Sequence, residues 1–339
     1  MKHYEYIFLC LLFLLIFFGG EVDAQPSNQK GKVMFYNLEN FFDCLDDAGK
    51  LDEEFLPESG RRWTKSRYRK KLKHIQKVIA NLGEWELPWL VGLCEFEHRS
   101  VLEDLAKSPL LWQADYQIAH FESSDKRGID TGLLYRPDVF ELLDQCAWPV
   151  ELEEGYFSRE ILWVMGKVGK DTLHVLVNHW SSRWSGEMAT EWKRKRFAAE
   201  MAGICNQIKD QHPQHLILAM GDFNDEPVDP SFTFFKAETS ANMECMMPEG
   251  KEGKTHYYNE AVKAWSCFDH IWVNQNFRRS LSFKAMYPAQ VFRPDWLLNE
   301  DGTPWRTYRG FAYEGGFSDH LPVFLQVTLN PSRTGQDGR

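Results

Sequence analysis

The sequence predicts one compact domain of the α/β (α+β) class, and three observations predict it. Short apolar runs with the alternation of half-buried strands recur from Lys32 to Leu329. Only two long stretches, 66–82 and 191–208, carry helical spacing. No internal repeat or linker-like segment divides the chain, so strands and helices are expected to share a core.

Composition bounds the rest. With 339 residues, 43% of them apolar and 14% aromatic, the chain can bury a large core. It carries 39 Lys and Arg against 49 Asp and Glu, a net charge of -10. Bulk charge therefore excludes a general polyanion binder. A chain of this sign that handles phosphates needs local cations or a bound metal.

Residues 1–24 read as a secretory signal peptide. Lys2 and His3 make a weakly basic start, 7–18 is unbroken apolar, and cleavage is expected after Ala24. The apolar run is too short for an ordinary membrane span, and no Cys at its end offers a lipid anchor. A secreted or periplasmic protein is expected, with no stable membrane anchor and no obligate protein partner. Residues 25–31 form a polar leader, 32–330 a single domain and 331–339 a flexible tail. The six remaining Cys (Cys44, Cys94, Cys146, Cys205, Cys245 and Cys267) show no metal-ligand spacing. Cys94 and Cys205 read as small buried residues. Secretion permits disulfides, but a chain of this length does not need them.

In order, strand 32–36 opens the domain and ends at Asn37-Leu38-Glu39-Asn40. Residues 43–62, rich in Asp, Glu, Gly and Pro, form a surface loop. Helix 66–82 puts Leu72, Ile75, Ile79 and Leu82 on one stripe. Its other face holds Arg67, Arg69, Lys70, Lys71, Lys73 and Lys77, and it reads as solvated in preference to a nucleic-acid stripe. Strand 88–94 leads into Glu95, a short helix covers 101–106, and strand 116–120 precedes the polar loop 122–128. Strands follow at 130–135, 140–148, 160–168 and 173–177, the last ending at Asn178-His179. Helix 191–208 turns Phe197, Met201, Ile204, Cys205 and Ile208 inward. Strand 215–220 ends at Gly221-Asp222-Phe223-Asn224, and 230–235 makes one helical turn. Residues 237–265 are poorly patterned and read as loop. Late strands cover 268–273, 282–287 and 321–329, with a turn at Asn299-Glu300-Asp301-Gly302 before a long loop.

Chemistry-bearing residues collect at the strand ends. Asp319 and His320 stand directly before the alternating run Leu321, Val323, Leu325, Val327 and Leu329, and a strand fixed in a core fixes the residues at its mouth. The other ends carry Asn37 and Glu39, Glu95, Asn178 and His179, Asp222 and Asn224, and Asp269 and His270. Carboxylates and amides suit Mg²⁺, or Mn²⁺, where a cage of imidazoles would suggest zinc. Such an ion polarises a phosphoryl oxygen and stabilises the leaving oxyanion. Glu95 is the first choice of metal ligand, because an unpaired carboxylate in an apolar stretch is expensive. Asn37 can hold Glu95 or a water, and Glu39 can assist with the metal. His320 is the candidate general base, since imidazole titrates near neutrality. Asp269 can fix its tautomer if the two strands lie side by side. Asp319 points the other way along an extended chain and reads as a metal-side ligand. Asp222 orients or activates the attacking water, and Asn224 holds that water or a phosphate oxygen. Asn178, His179 and Arg127 are the donors for the phosphate, and the guanidinium fork suits Arg127 to that role.

The chain resembles the endonuclease/exonuclease/phosphatase superfamily. The resemblance rests on Tyr36-Asn37-Leu38-Glu39-Asn40, Gly92-Leu93-Cys94-Glu95, Arg127-Gly128-Ile129-Asp130-Thr131-Gly132, Val177-Asn178-His179, Gly221-Asp222-Phe223-Asn224, Phe268-Asp269-His270-Ile271 and Gly316-Phe317-Ser318-Asp319-His320. It implies a four-layer DNase I-like sandwich, two facing mixed β-sheets flanked by helices. It also implies Mg²⁺-dependent hydrolysis of a phosphoester. By the family pattern Glu95 looks like the principal metal ligand, with Asn37, Glu39 and Asp319 near the ion. Asp222 with Asn224 handles nucleophile and phosphate, Asp269 with His320 forms the carboxylate–imidazole pair, and His179 contacts phosphate. Arg127 departs from the pattern, standing where other members place a tyrosine or another donor.

Two substrate classes stay open. A nuclease cutting DNA or RNA is suggested by the basic helix, by Lys193-Arg194-Lys195-Arg196 and by the loop aromatics Trp180 and Trp184. Trp63, Trp296 and Trp305 are candidates to line its cleft. A phosphatase or lipid phosphodiesterase acting on an inositol phosphate, a sphingomyelin-like lipid or another small ester is the alternative, with its pocket shaped by loops 237–265 and 290–315. A non-catalytic scaffold is disfavoured because every expected polar position holds a competent residue.

Overall fold

The computed structural model describes residues 28–184, 186–258 and 264–330. The expected signal peptide, residues 25–27 of the polar leader and the C-terminal tail lie outside the described residues, and β1 takes in the end of the leader. In chain order the first half comprises β1 (Gln29–Phe41), α1 (Lys65–Gly83), β2 (Leu90–Phe96), α2 (Arg99–Ala106), β3 (Gln117–His120), β4 (Asp130–Tyr135) and β5 (Glu141–Trp148). Then come β6 (Ile161–Val168), β7 (Asp171–His179), α3 (Glu187–Gln211), β8 (Leu216–Asp222), α4 (Pro230–Glu238) and β9 (Met243–Cys245). The chain closes with β10 (Asp269–Asn274), α5 (Asn276–Arg279), β11 (Phe283–Val291) and β12 (Val323–Leu329). Among the described residues no helix is long and apolar enough to cross a membrane.

These strands build two six-stranded sheets, in the orders β11-β12-β1-β2-β4-β3 and β9-β10-β8-β7-β6-β5. Each has one parallel pair at its centre, β1 with β2 and β7 with β8, and antiparallel neighbours outside it. The central strands are apolar at consecutive positions because both of their faces are covered. Val33 and Phe35 of β1 pack between the sheets with Val175, Val177, Leu218 and Met220. Met34 and Tyr36 face outward onto Ile75, Ile79 and Leu82 of α1 and Leu102 of α2. On the far side Leu176, Ile217 and Ala219 meet Phe197, Met201 and Cys205 of α3 and Phe232 of α4. Each such aliphatic or aromatic side chain contributes about 1.5–3 kcal/mol when fully buried. The result is helix, sheet, sheet, helix: the predicted four layers. A Cβ on Gly92 would lie 2.8 Å from Met220 Cε, so the close approach of the sheets there requires glycine.

Several expectations change. The 237–265 stretch is not all loop: β9 joins an edge of the second sheet, and His256–Tyr258 pairs with Ala264–Ser266. These strands are three residues long, too short to show alternation. The single turn at 230–235 is a nine-residue helix.

The basic face of α1 is not simply solvated. The segment between β11 and β12 covers part of it. Arg67 lies over the Tyr313 ring at 4.0 Å and Lys77 over Trp296 at 4.2 Å. Lys71 is 1% exposed, donates to Thr307 Oγ1 and sits 3.8 Å from Glu39. The run at 193–196 is likewise partly internal: Arg194 is buried, with Nε 2.6 Å from Asp225 Oδ1. Trp180 is a core residue stacked on Phe232, and Trp63 is fully buried with its indole donating to Phe42 O. Of the loop aromatics named as grips, Trp184 is exposed.

Candidate active site

Strand register sets the first half of the site. Asp222, the last residue of β8, pairs with His179 of β7 on one side and Asp269 of β10 on the other. Cross-strand partners project from the same face of a sheet, so the three side chains stand in a row. A Cβ on the preceding Gly221 would fall 2.4 Å from Asn178 O, so glycine is needed for β8 to reach β7 here.

The facing sheet supplies the second half. Asn37 ends the regular pairing of β1 with β2, where the register shifts before Phe41. Glu95 has φ 60°, and Glu39 and Asn40 have φ 51° and 52°. Non-glycine residues in this left-handed region are uncommon and cluster at functional sites. Glu95 Oε2 accepts the Asn40 N–H at 3.0 Å, while Oε1 lies 3.5 Å from His179 Nε2. Ser318 donates its hydroxyl to Asn37 O and accepts the His320 N–H, which locks the segment before β12 onto the end of β1.

Asp222 is the meeting point. Its Oδ2 accepts the Asn37 amide at 3.0 Å and lies 3.8 Å from both His179 Nε2 and His320 Nε2. Its Oδ1 accepts the Asn224 N–H at 3.0 Å. Burial, reinforced by Asp269 and Glu95 against the opposing pull of His320, raises its carboxyl to about 7. His320 Nδ1 is 2.8 Å from Asp269 Oδ2. Burial alone would depress this imidazole, but Asp269 and Asp222 outweigh it and hold it well above its ordinary value. His179 goes the other way: burial, then Arg159 and Arg127, push it well below, so it is a neutral imidazole.

Not every predicted residue joins the cluster. The Glu39 carboxylate accepts the N–H groups of Thr307 and Tyr308 at 2.6 and 3.3 Å and faces Lys71. It anchors the covering segment and stands outside the cluster around Asp222. Asn178 also stands apart from the cluster. Its amide donates to Leu176 O at 3.2 Å and accepts the Trp180 indole at 3.1 Å, which braces the end of β7. Asn37 is spent on Asp222 and on the Glu39 N–H, and positions the carboxylate. Asn224 Nδ2 donates to Trp180 O at 3.1 Å. Arg127 donates to Asn40 Oδ1 at 2.9 Å, within electrostatic reach of His179. Asp319 lies at the rim, 3.6 Å from Arg306 Nη2 and 3.9 Å from His256 Nε2. Burial would raise its carboxyl, but His320, Arg306 and His256 prevail and lower it to about 2.

Sequence reading missed His256, whose ring packs 4.4 Å from that of His320. It also missed Arg306 and Arg159, the latter buried with its guanidinium on His179 O and Trp180 O. None of the three follows an apolar run that would have marked it.

The donor set fits a divalent cation. Ligand atoms of Glu95, His179 and Asp222 lie within 4.8 Å of one another, as do those of Asp222, Asp269 and His320. Asp269 Oδ1 is buried with no hydrogen-bond partner among the described residues. That orphan and the raised Asp222 carboxyl mark uncompensated negative charge, which a cation held by Glu95 and Asp222 would relieve.

Comparison with known proteins identifies the family and the fold. A family model described as "Endonuclease/Exonuclease/phosphatase family" matches residues 32–329. No curated protein matches the sequence. Among solved structures, D. rerio TDP2 complexed with single strand DNA product is similar with TM-score 0.56 and 13% identity, covering 88% of this chain and 99% of that one. An endonuclease/exonuclease/phosphatase family protein from Bacteroides thetaiotaomicron gives 0.54 and 16%, covering 89% and 99%. The human Nocturnin catalytic domain with bound sulfate anion gives 0.56 and 15%, covering 89% and 97%. At these identities the structures establish a shared fold.

Proposed function

The chain belongs to the endonuclease/exonuclease/phosphatase family, whose members are metal-dependent phosphoesterases and nucleases, and from that premise we propose that this ester hydrolase is a secreted, Mg²⁺-dependent phosphodiesterase cutting DNA or RNA. The observation that carries the reading is the meeting of Asp222, His179 and Asp269 with Glu95, Asn37 and His320 from the opposite sheet. One of the similar structures, D. rerio TDP2, holds a single-strand DNA product.

A divalent ion held by Glu95 and Asp222 would polarise the phosphate and neutralise the leaving oxygen. The chain's own groups do the rest. Asp222 and His320 Nε2 lie 3.8 Å apart, beyond hydrogen-bond distance, and both face the attacking water, whose proton goes to the unprotonated member of the pair. Asp269 holds Nδ1–H and stabilises the imidazolium. Neutral His179 is a donor for a phosphate oxygen, and Arg127 adds positive charge at the rim.

A second reading, a small phosphoester substrate, has its own support. Lys71 and Arg194, counted toward a nucleic-acid grip, are buried in internal pairs. A substrate panel with and without EDTA separates the two. Supercoiled DNA, RNA, bis-nitrophenyl phosphate, inositol phosphates and sphingomyelin are offered in turn. Nicking of DNA or cleavage of RNA is expected; release of monoester phosphate or sphingomyelin cleavage alone would overturn the nuclease reading.

A further inference from the structure

We propose that the loop leaving β1 carries a second cation site, separate from the catalytic cluster, which takes a divalent ion of the manganese–zinc class. Its donors are Asp47, Glu97 and His98, and the buried Asp52 adjoins them. Ligand atoms of Asp47, Glu97 and His98 lie within 4.8 Å of one another, in a group that shares no residue with those around Asp222. His98 Nε2 is 2.7 Å from Asp47 Oδ2, and its Nδ1 is 3.1 Å from Glu122 Oε2.

Asp52 turns this cluster into a site. The side chain is 1% exposed. Its Oδ2 accepts the Asp47 N–H at 3.0 Å, which places it inside the loop. Its Oδ1 is buried with no hydrogen-bond partner among the described residues. Asp52 is close enough to Glu97 for the two carboxylates to repel. A buried carboxylate oxygen without a donor is costly, and a cation is the partner that satisfies it beside other carboxylates. Lys50 of the same loop is committed elsewhere, with Nζ 2.8 Å from Ser123 O and 3.0 Å from Asp125 O.

The donors choose the class of ion. Calcium and magnesium favour all-oxygen shells, whereas manganese and zinc accept an imidazole beside carboxylates. Filling the site would tie the loop to the end of β2, where Glu97 Oε2 already accepts the Asp43 N–H at 2.7 Å. The same loop begins just after Asn40, whose N–H holds Glu95. The site therefore braces the entrance to the catalytic cluster without joining it.

Metal stoichiometry tests this without reference to activity. Chelator-stripped Glu95→Gln protein, with the catalytic centre weakened, is loaded with Mn²⁺ or Zn²⁺, desalted and analysed by plasma mass spectrometry. About one ion per chain is expected. Adding His98→Ala or the isosteric Asp52→Asn should bring it to background while far-UV circular dichroism stays unchanged. In otherwise wild-type protein, thermal stabilisation by either ion should be smaller in His98→Ala. A Glu95→Gln protein that holds no ion, one whose ion survives both added substitutions, or one that binds only Ca²⁺ would overturn the proposal.

Discussion

His320 Nδ1 and Asp269 Oδ2, 2.8 Å apart, make a hydrogen bond between sheets. His320 precedes β12 in the first sheet and Asp269 opens β10 in the second, so the pair meets across the sandwich and does not need the side-by-side strands that were set as its condition. His320→Ala should cut kcat by about 10²–10⁴ while thermal unfolding shows a folded protein. Asp269→Asn should approach that loss by unfixing the tautomer. Near-normal turnover in His320→Ala would remove the imidazole from the mechanism.

Metal dependence is read at Glu95. EDTA should abolish hydrolysis and added Mg²⁺ should restore it. Glu95→Gln should raise the Mg²⁺ concentration for half-maximal activity by at least about tenfold, because one charged ligand is lost. Activity untouched by EDTA would contradict the cation reading of Glu95 and Asp222.

The buried Lys71–Glu39 pair gives a stability test. Lys71→Met strands the Glu39 carboxylate and should cost about 3–5 kcal/mol in denaturant unfolding. Adding Glu39→Gln removes the stranded charge and should return part of that loss. Additive losses would show that the two groups are not coupled.

Acid stability should follow His174. Its ring accepts the Trp163 indole N–H at Nδ1 and meets His215 Nδ1 at 2.9 Å through Nε2. Burial, with help from His215 and His212, lowers its pKa from 6.5 to about 3. The folded state therefore resists a proton that the unfolded chain accepts. Its stabilising contribution is complete above pH 6.5 and is lost as pH falls toward 3, with a slope of at most ~1.4 kcal/mol per pH unit from this group. His174→Gln, which keeps an acceptor for Trp163, should flatten the acid limb of a stability–pH curve. An unchanged limb would assign it to other groups.

Much of the site was legible because apolar runs end where chemistry begins. Asp222, His179, Asp269, Glu95 and His320 each stand at such an end, and the structure brings them together. Alternation tells which face a residue occupies but not which sheet lies opposite, so the cross-sandwich sense of the His320–Asp269 pair was hidden. The alternation used to separate Asp319 from His320 also applies to Asn178 and His179, and puts their side chains on opposite faces of β7. Lys71 was unreadable for a different reason. Its partner Thr307 lies 236 positions away, in a segment without regular pattern.

Because Glu95 and His320 stand with the first sheet, which draws on both ends of the chain, and Asp222 stands in the second, which comes from the middle, neither sheet owns a working centre. The middle segment that carries the second sheet would be inert alone however well it folded. Turnover is thus a built-in reporter of docking: during refolding it should lag behind circular dichroism.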